Sequence, residues 1–314
     1  MPAKAVLINI DREMIPPDYF ARLQKLFTQI EFTKHNDANL LTLIADAEAL
    51  FTLIENKTNK TLIDAAAKLK YIGLLGTAFD GVDLAYARSK GITVCNLGGY
   101  STEGVSEFFF AALFEYARGL AKAQQQVAAG NLLPDSFKGF ELKGKTLGII
   151  GAGRIGSRTA EIGLGIGMNV IYFDRHDKPE LNKQGATRKS LDEVLAQSDA
   201  LSLNLALNTE TEGILNKEKV GLIKTGCIFI NLSPRRLIDQ DAVLERAKAG
   251  TMTFIPYLSY DAKPEQLQKF VGIPNCVVYP PIMVRTKETQ ALRWETFVSN
   301  IENFINGTPK NVVN

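Results

Sequence analysis

Residues 142–174, LKGKTLGIIGAGRIGSRTAEIGLGIGMNVIYFD, decide how the rest of the chain is read. Thr146–Ile150 is an apolar run too short for a helix and rich in β-branched residues, which predicts a buried strand. Gly151, Gly153 and Gly156 follow at G-x-G-x-x-G spacing, and a helix is expected over Arg154–Ile166. Asn169–Phe173 predicts a second buried strand, and Asp174 ends it, at the interval of about 20 residues where such units place an acid. Each part suits a dinucleotide. Gly151 permits the tight turn, Gly153 lets backbone approach a pyrophosphate, and Gly156 lets helix and strand pack closely. The N–H groups of Ala152–Ile155 and the positive end of the helix dipole favour phosphate. Asp174 would accept hydrogen bonds from the adenosine ribose. A carboxylate there favours NAD over NADP, whose extra phosphate it would repel; Arg175 and His176 weaken that preference without reversing it. Three glycines alone could be a loop, but strand, glycines, helix, strand and acid stand here in order.

Working outward, short strands are expected at Ala5–Ile10, Ala49–Ile54, Tyr71–Leu75 and Ile92–Cys95, with helices from Pro17 to about Thr28 and over Thr61–Leu69. That alternation predicts a small parallel α/β domain. Gly76–Asp83 is a loop just after a strand, where open α/β sheets place ligands. From Ser101 to Ala129 the pattern turns helical, and Phe108, Phe109, Phe110 and Phe114 make an aromatic face that is either core or the interface to a second copy. Beyond the glycine-rich unit, strands are expected at Ala200–Leu205, Cys227–Asn231, Thr253–Tyr257 and Cys276–Tyr279, with helices at Leu191–Gln197 and Asp239–Lys248. These form the second half of a doubly wound sheet. An amphipathic helix over Thr289–Asn306 carries Trp294, Phe297, Ile301 and Phe304 along one side.

Composition narrows the class. The 314 residues are enough for two domains, and 36 basic against 34 acidic side chains leave no electrostatic footprint for nucleic acid. Cys95, Cys227 and Cys276 are far apart, have no metal-ligand spacing, and read as reduced, buried thiols. No metal site is expected. The first residues read as a strand rather than a signal peptide, and no apolar run approaches membrane-spanning length, so a cytoplasmic location is expected.

Four stretches now carry a resemblance: LLGTAFDGVDLAYARSKGITVCNLGGYSTEGVSE, LKGKTLGIIGAGRIG, LNLALNTETEGILNKEKVGLIKTGCIFIN and the ending NFINGTPKNVVN. Over nearly its whole length the chain resembles the D-isomer-specific 2-hydroxyacid dehydrogenases, the family of phosphoglycerate and formate dehydrogenases. The resemblance implies a Rossmann NAD-binding domain (residues 100–286) inserted in a smaller flavodoxin-like substrate domain (residues 1–99 and 287–314). It also implies a homodimer formed through the Rossmann domains and a small carboxylate substrate in the cleft. Thr77 and Ala78 would offer backbone N–H groups to that carboxylate. Leu205, Ala206 and Asn208, with Leu232 and Ser233 after a later strand, would flank the cofactor.

The family's catalytic pattern does not carry over. Its N-x-x-R-G-x-x-V-D motif reads Asn231-Leu232-Ser233-Pro234-Arg235-Arg236-Leu237-Ile238-Asp239 here, so Pro234 stands at the arginine that binds the substrate carboxylate and carbonyl. The glutamate position is Lys263, the histidine position is Pro281, and an acid that contacts the nicotinamide corresponds to Leu258. Ketone reduction needs a hydride and a proton, and a carboxylate-tuned histidine supplies the proton near neutral pH. The two histidines, His35 and His176, fall in the peripheral domain and at the adenosine end of the cofactor. Arg235 recovers the arginine's role if Pro234 makes a local bulge; otherwise Arg235 and Arg236 form a solvated turn. Tyr257, Tyr260 and Tyr279 are candidate proton donors or ordinary packing, and Tyr279 is the tentative choice with Arg235. Three readings remain open: an oxidoreductase with a rebuilt proton-transfer site, a non-catalytic NAD(H)-binding regulator, and the same fold turned to other chemistry.

Overall fold

The computed structural model describes residues 3–132, 137–258 and 264–314, and the chain divides into two compact units. The first comprises the residues up to Ser101 together with Lys287–Asn314; the second is Thr102–Thr286. The first boundary falls two residues later than the sequence suggests. Tyr100 is buried in the core of the first unit, and the helix of the second opens at Thr102.

The first unit runs β1 (Lys4–Ile8), α1 (Pro17–Leu26), β2 (Gln29–Thr33), α2 (Leu40–Ile44), β3 (Ala49–Thr52), α3 (Lys60–Ala65), β4 (Tyr71–Leu74), α4 (Leu84–Ser89) and β5 (Thr93–Cys95). All pairings are parallel in the order β2-β1-β3-β4-β5, the flavodoxin-like arrangement. Both sheet faces are buried, so alternate residues enter different cores: Leu7 and Phe51 on one side, Val6 and Leu50 on the other. The closing helix, Lys287–Ile305, presses Trp294, Phe297 and Ile301 into the first of these cores, with the Phe297 ring 5.1 Å from that of Phe51. Arg22 of α1 ties the two helices together through Glu295 and Glu302, at 2.7 and 2.8 Å. After that helix the chain returns to β5, where Val312 bridges Cys95 in antiparallel sense.

The second unit runs α5 (Thr102–Arg118), α6 (Leu120–Ala128), β6 (Thr146–Ile150), α7 (Arg154–Gly165), β7 (Asn169–Phe173), α8 (Pro179–Lys183), β8 (Thr187–Arg188), α9 (Leu191–Gln197), β9 (Ala200–Leu203), α10 (Lys217–Gly221), β10 (Cys227–Asn231), α11 (Gln240–Lys248), β11 (Met252–Ile255) and α12 (Pro264–Gln268). Its parallel sheet has the order β11-β10-β9-β6-β7-β8, so the chain reverses direction across the sheet between β6 and β9. In doubly wound sheets a ligand crevice opens at that point.

Several expectations are corrected. Cys276–Tyr279 is not a strand: Cys276 makes one isolated bridge, to Phe254, and Pro280 and Pro281 just beyond have no N–H with which to continue a ladder. The strands expected to end at Leu205 and Tyr257 stop at Leu203 and Ile255. The long helix breaks at Gly119, whose φ of 61° is left-handed. Of its aromatic face, Phe109 and Phe110 are core, Phe108 is half-buried and Phe114 is exposed. Cys95 and Cys227 are buried and Cys276 half-buried; burial pushes the Cys227 thiol up to about 12 and that of Cys276 to about 11, so both stay protonated.

Helix α7 sits so close on β6 that a Cβ on Gly156 would lie 2.0 Å from the Gly151 carbonyl oxygen. A backbone atom cannot step aside as a side chain can. Gly156→Ala is therefore expected to cost about 2–4 kcal/mol, whereas Gly153→Ala, whose Cβ meets nothing within 4 Å, should change stability by well under half of that. Denaturant midpoints of the two variants, compared with the parent, check the contrast.

Candidate functional site

The reversal point between β6 and β9 is a backbone-lined crevice. Gly151 leaves β6 with φ of +90°, and a Cβ there would strike Leu205 at 2.7 Å and the Asn204 backbone at 3.1 Å. Gly153 caps α7 without a side chain, so no side-chain oxygen takes the first-turn N–H groups of Arg154, Ile155 and Gly156. Gly153 and Arg154 are exposed, Ile155 is half-buried and Gly156 is buried, so the turn is open to solvent at its start. Beside them the Asn204 side-chain oxygen is buried with no hydrogen-bond partner, while its amide donates to the Ser202 hydroxyl at 2.9 Å. An unsatisfied buried acceptor next to unsatisfied donors is the signature of a polar ligand's place.

Asp174 has a second task that the sequence does not show. Its carboxylate accepts the N–H of Ala152 at 2.9 Å and the N–H of His176 at 2.9 Å, with Lys178 Nζ at 3.5 Å. The acid at the end of β7 thus clamps the glycine-rich turn that follows β6. It also takes the Ala152 donor out of the set expected for pyrophosphate, which leaves the start of α7. Arg188 donates to the Asp174 and Arg175 carbonyls at 2.9 and 2.8 Å and so fixes the same corner. Arg175 projects outward and pairs with Glu210. Across the crevice Leu205 is half-buried and Ala206 exposed, and Asn208 accepts the N–H groups of Glu210 and Thr211 in a tight turn. Leu232 is half-buried; Ser233 is buried and donates its hydroxyl to the Leu203 carbonyl at 3.0 Å, which ties β10 to β9.

The loop holding Thr77 and Ala78 follows β4 in the first unit. Three successive carbonyls there are bound internally. Leu75 O accepts from Arg293 Nη2 at 2.9 Å, Gly76 O from the Leu97 N–H at 2.8 Å, and Thr77 O from Asn96 Nδ2 at 2.6 Å. Asn96 is held in turn: its carbonyl accepts from Asn300 Nδ2 at 2.8 Å, and Asn311 Nδ2 donates to the Asn300 side-chain oxygen at 2.9 Å. Sequence reading missed Arg293, Asn96, Asn300 and Asn311, because no local spacing links them to the loop.

The replacement catalytic groups are less well supported. Pro234 is extended (φ −54°, ψ 140°) and leads into a short 3₁₀ turn over Arg235–Leu237 rather than a bulge. Arg235 is exposed and makes no ion pair among the described residues, and Arg236 pairs with Glu212 at 2.7 Å. Tyr279 packs edge-on against Phe108, with ring centroids 5.7 Å apart. Burial first, and the Glu115 charge second, raise its phenol above the usual tyrosine value. Tyr257 and Pro281 are half-buried, and Leu258 is part of the hydrophobic core. Lys263 and Tyr260 lie outside the described residues. His35 contacts the Lys57 carbonyl at 2.9 Å in the first unit, and His176 is exposed at the end of β7. Among the described residues no cluster of His, Cys, Asp or Glu could hold a metal, and no helix is long and apolar enough to cross a membrane.

Residues 110–282, more than half of the chain, match the NAD-binding domain of the D-isomer-specific 2-hydroxyacid dehydrogenases. The chain belongs to this family. A hydroxypyruvate reductase of Blautia hydrogenotrophica is 33% identical over 88% of this chain and 87% of its own length. A glyoxylate reductase of Thermococcus litoralis is 32% identical over 96% and 94%. Among solved structures, a D-lactate dehydrogenase of Aquifex aeolicus complexed with NAD and lactic acid superposes with a TM-score of 0.87 at 27% identity, covering 97% of this chain and 96% of the other. NAD is the cofactor of this dehydrogenase domain. The residues present fit it: free first-turn donors on α7, open space over Gly153, and an orphaned Asn204 oxygen.

Because Asp174 holds Ala152 and His176, Asp174→Ala should act twice. NADH affinity is expected to fall about 10- to 100-fold, and stability by about 1–3 kcal/mol as buried donors lose a charged partner. Calorimetric titration with NADH and thermal melting separate the two effects. Unchanged NADH affinity would remove Asp174 from the ribose site.

Proposed function

We propose that the protein is an NAD-dependent oxidoreductase that interconverts a small 2-hydroxy acid and its 2-oxo acid without the usual histidine–glutamate proton relay. The observation that carries this reading is the pairing of a complete cofactor crevice with prolines at 234 and 281. The names of the relatives, glyoxylate and hydroxypyruvate reductases, support a small 2-oxo acid as substrate. Its carboxylate is received by the Gly76–Ala78 backbone, and the crevice at α7 receives the cofactor's phosphates. NAD(H) supplies or accepts the hydride.

The remaining requirement is a proton at the developing alkoxide. A proline has no titratable group, and a general acid works best with a pKa near the working pH. Tyr279 is a poorly matched donor, because burial and Glu115 keep its phenol protonated. Arg235 has no proton to give and serves at most as an electrostatic aid. Loss of acid–base catalysis alone removes roughly two to four orders of magnitude in rate. The paired prolines also favour a second reading, an NAD(H)-binding protein whose occupancy controls association with a partner; partner binding that depends on NADH without turnover would identify it.

Following NADH absorbance with glyoxylate, pyruvate, hydroxypyruvate, 2-oxoglutarate and bulkier 2-oxo acids tests the proposal. Turnover is expected below about 1 per second; values within the ordinary range of about 1–1,000 per second would defeat it. The pH profile is a second readout. A histidine donor makes reduction fall as pH rises past about 6.5. Tyr279, whose phenol burial and the Glu115 charge hold above the ordinary tyrosine value, would stay protonated and hold the rate well into alkaline pH, and Tyr279→Phe would then abolish that limb.

We also propose a homodimer. Phe114 is 42% exposed, Leu120 54% and Val127 57%, and α6 has no buried residue, so these helices carry apolar surface that a second copy would cover. Light scattering at several micromolar concentrations should give twice the chain mass. Phe114→Asp with Leu120→Asp should shift it toward monomer.

A further inference from the structure

NADP differs from NAD by one phosphate on the adenosine ribose, beside the acid that ends β7. Asp174 is poorly placed to repel that phosphate. One of its carboxylate oxygens accepts the Ala152 N–H, and the other accepts the His176 N–H with Lys178 Nζ 3.5 Å away. Its side chain is only 15% exposed, so its charge is largely neutralised within the turn it clamps. Cations gather at the same corner. Arg175 follows Asp174 directly, and the Arg188 guanidinium lies on the Asp174 and Arg175 carbonyls with no carboxylate paired to it among the described residues. Unopposed, Arg175, Lys178 and Arg188 would attract a 2′-phosphate.

Glu210 opposes them through an ion pair with Arg175. β7 and β9 flank β6 in the sheet, so a contact from the end of β7 to the segment after β9 crosses the mouth of the crevice. Both backbones are held in place. Arg188 binds the Arg175 carbonyl at 2.8 Å, and Asn208 Oδ1 accepts the N–H groups of Glu210 and Thr211 at 2.9 and 3.0 Å. The Thr211 hydroxyl donates to the Ala206 carbonyl at 2.7 Å and completes the turn. The Arg175 and Glu210 side chains are 68% and 65% exposed, and a pair so open to water adds little to stability. Its effect falls on ligands instead, because it occupies the planar guanidinium that a phosphate would otherwise use.

We infer that Glu210, rather than Asp174, makes the protein prefer NADH to NADPH, by keeping Arg175 from the 2′-phosphate. The inference concerns cofactor binding alone and stands whether or not a 2-oxo acid is turned over. Calorimetric titration of the full-length protein with NADH and with NADPH, at low and high salt, tests it. The parent should bind NADH more tightly. Glu210→Gln should tighten NADPH at least about fivefold, with NADH within about twofold of the parent. The gain should shrink at high salt, where exposed charges are screened. It should vanish when Arg175→Gln is added, because the freed guanidinium is what receives the phosphate. Glu210→Ala should behave as Glu210→Gln does, and both should melt with the parent. NADPH affinity within about twofold of the parent's in both Glu210 variants would overturn the inference. So would equal tightening of NADH and NADPH, a gain that survives the loss of Arg175, or a parent that already binds NADPH as tightly as NADH. Glu210 variants that melt well below the parent would make the pair structural instead.

Discussion

The approach of α7 to β6 at Gly156 is the constraint on which the second unit depends. With 2.0 Å between the would-be Cβ and the Gly151 oxygen, only glycine lets the helix start directly over the strand's end. That placement brings the uncapped first turn of α7 to the reversal point of the sheet and sets Gly151 against the Asn204 backbone. Asp174 then closes the arrangement by binding the Ala152 N–H, so the turn cannot swing away from β7. The acid that reads as a ribose contact is also part of the scaffold. Replacing Asp174 therefore touches both the cofactor site and the packing of this corner.

Much of the fold is legible because it is local. The runs Thr146–Ile150, Asn169–Phe173 and Cys227–Asn231 are strands at the residues where uninterrupted apolar, β-branched sequence puts them, and Leu191–Gln197 is a helix whose start is fixed by a Ser190–Glu193 capping box. What escapes is of two kinds. Gln29–Thr33 has no apolar run, but Ile30 and Phe32 alternate with polar residues as in a half-buried strand, and β1 supplies its partner. Cys276–Tyr279 has the composition of a strand, yet among the described residues it makes only one isolated bridge, from Cys276 to Phe254. Propensity is present there, but Pro280 and Pro281 just beyond cannot extend the bridge into a ladder.

The same division separates the two halves of the candidate site. A phosphate-binding turn is made of backbone, so three glycines and an acid announce it. The Gly76–Ala78 loop is also backbone, but its orientation is set by side chains outside it, Asn96 at 19 residues from Thr77 and Arg293 at 218 from Leu75. Asn96 holds Thr77, Asn300 on the closing helix holds Asn96, and Asn311 holds Asn300. Each of these amides looks like an ordinary polar residue in the sequence. Only the fold shows that they form one chain ending at the loop.

That contrast bears on what the missing catalytic side chains mean. The cofactor crevice persists for structural reasons, since Gly151 and Gly156 are required by the packing whether or not NAD is used. Its presence alone says little about turnover. Buried polar groups are different. Asn96 is 7% exposed and Asn300 3%, and replacing such a network with apolar side chains of similar shape is often neutral or stabilising. Arg293 adds a buried donor that no protein atom satisfies. The polar support of Leu75–Thr77 is thus costly structure concentrated on one loop, whereas the glycine-rich turn is required by packing alone, and the prolines at 234 and 281 stand where the family pattern has its arginine and its histidine.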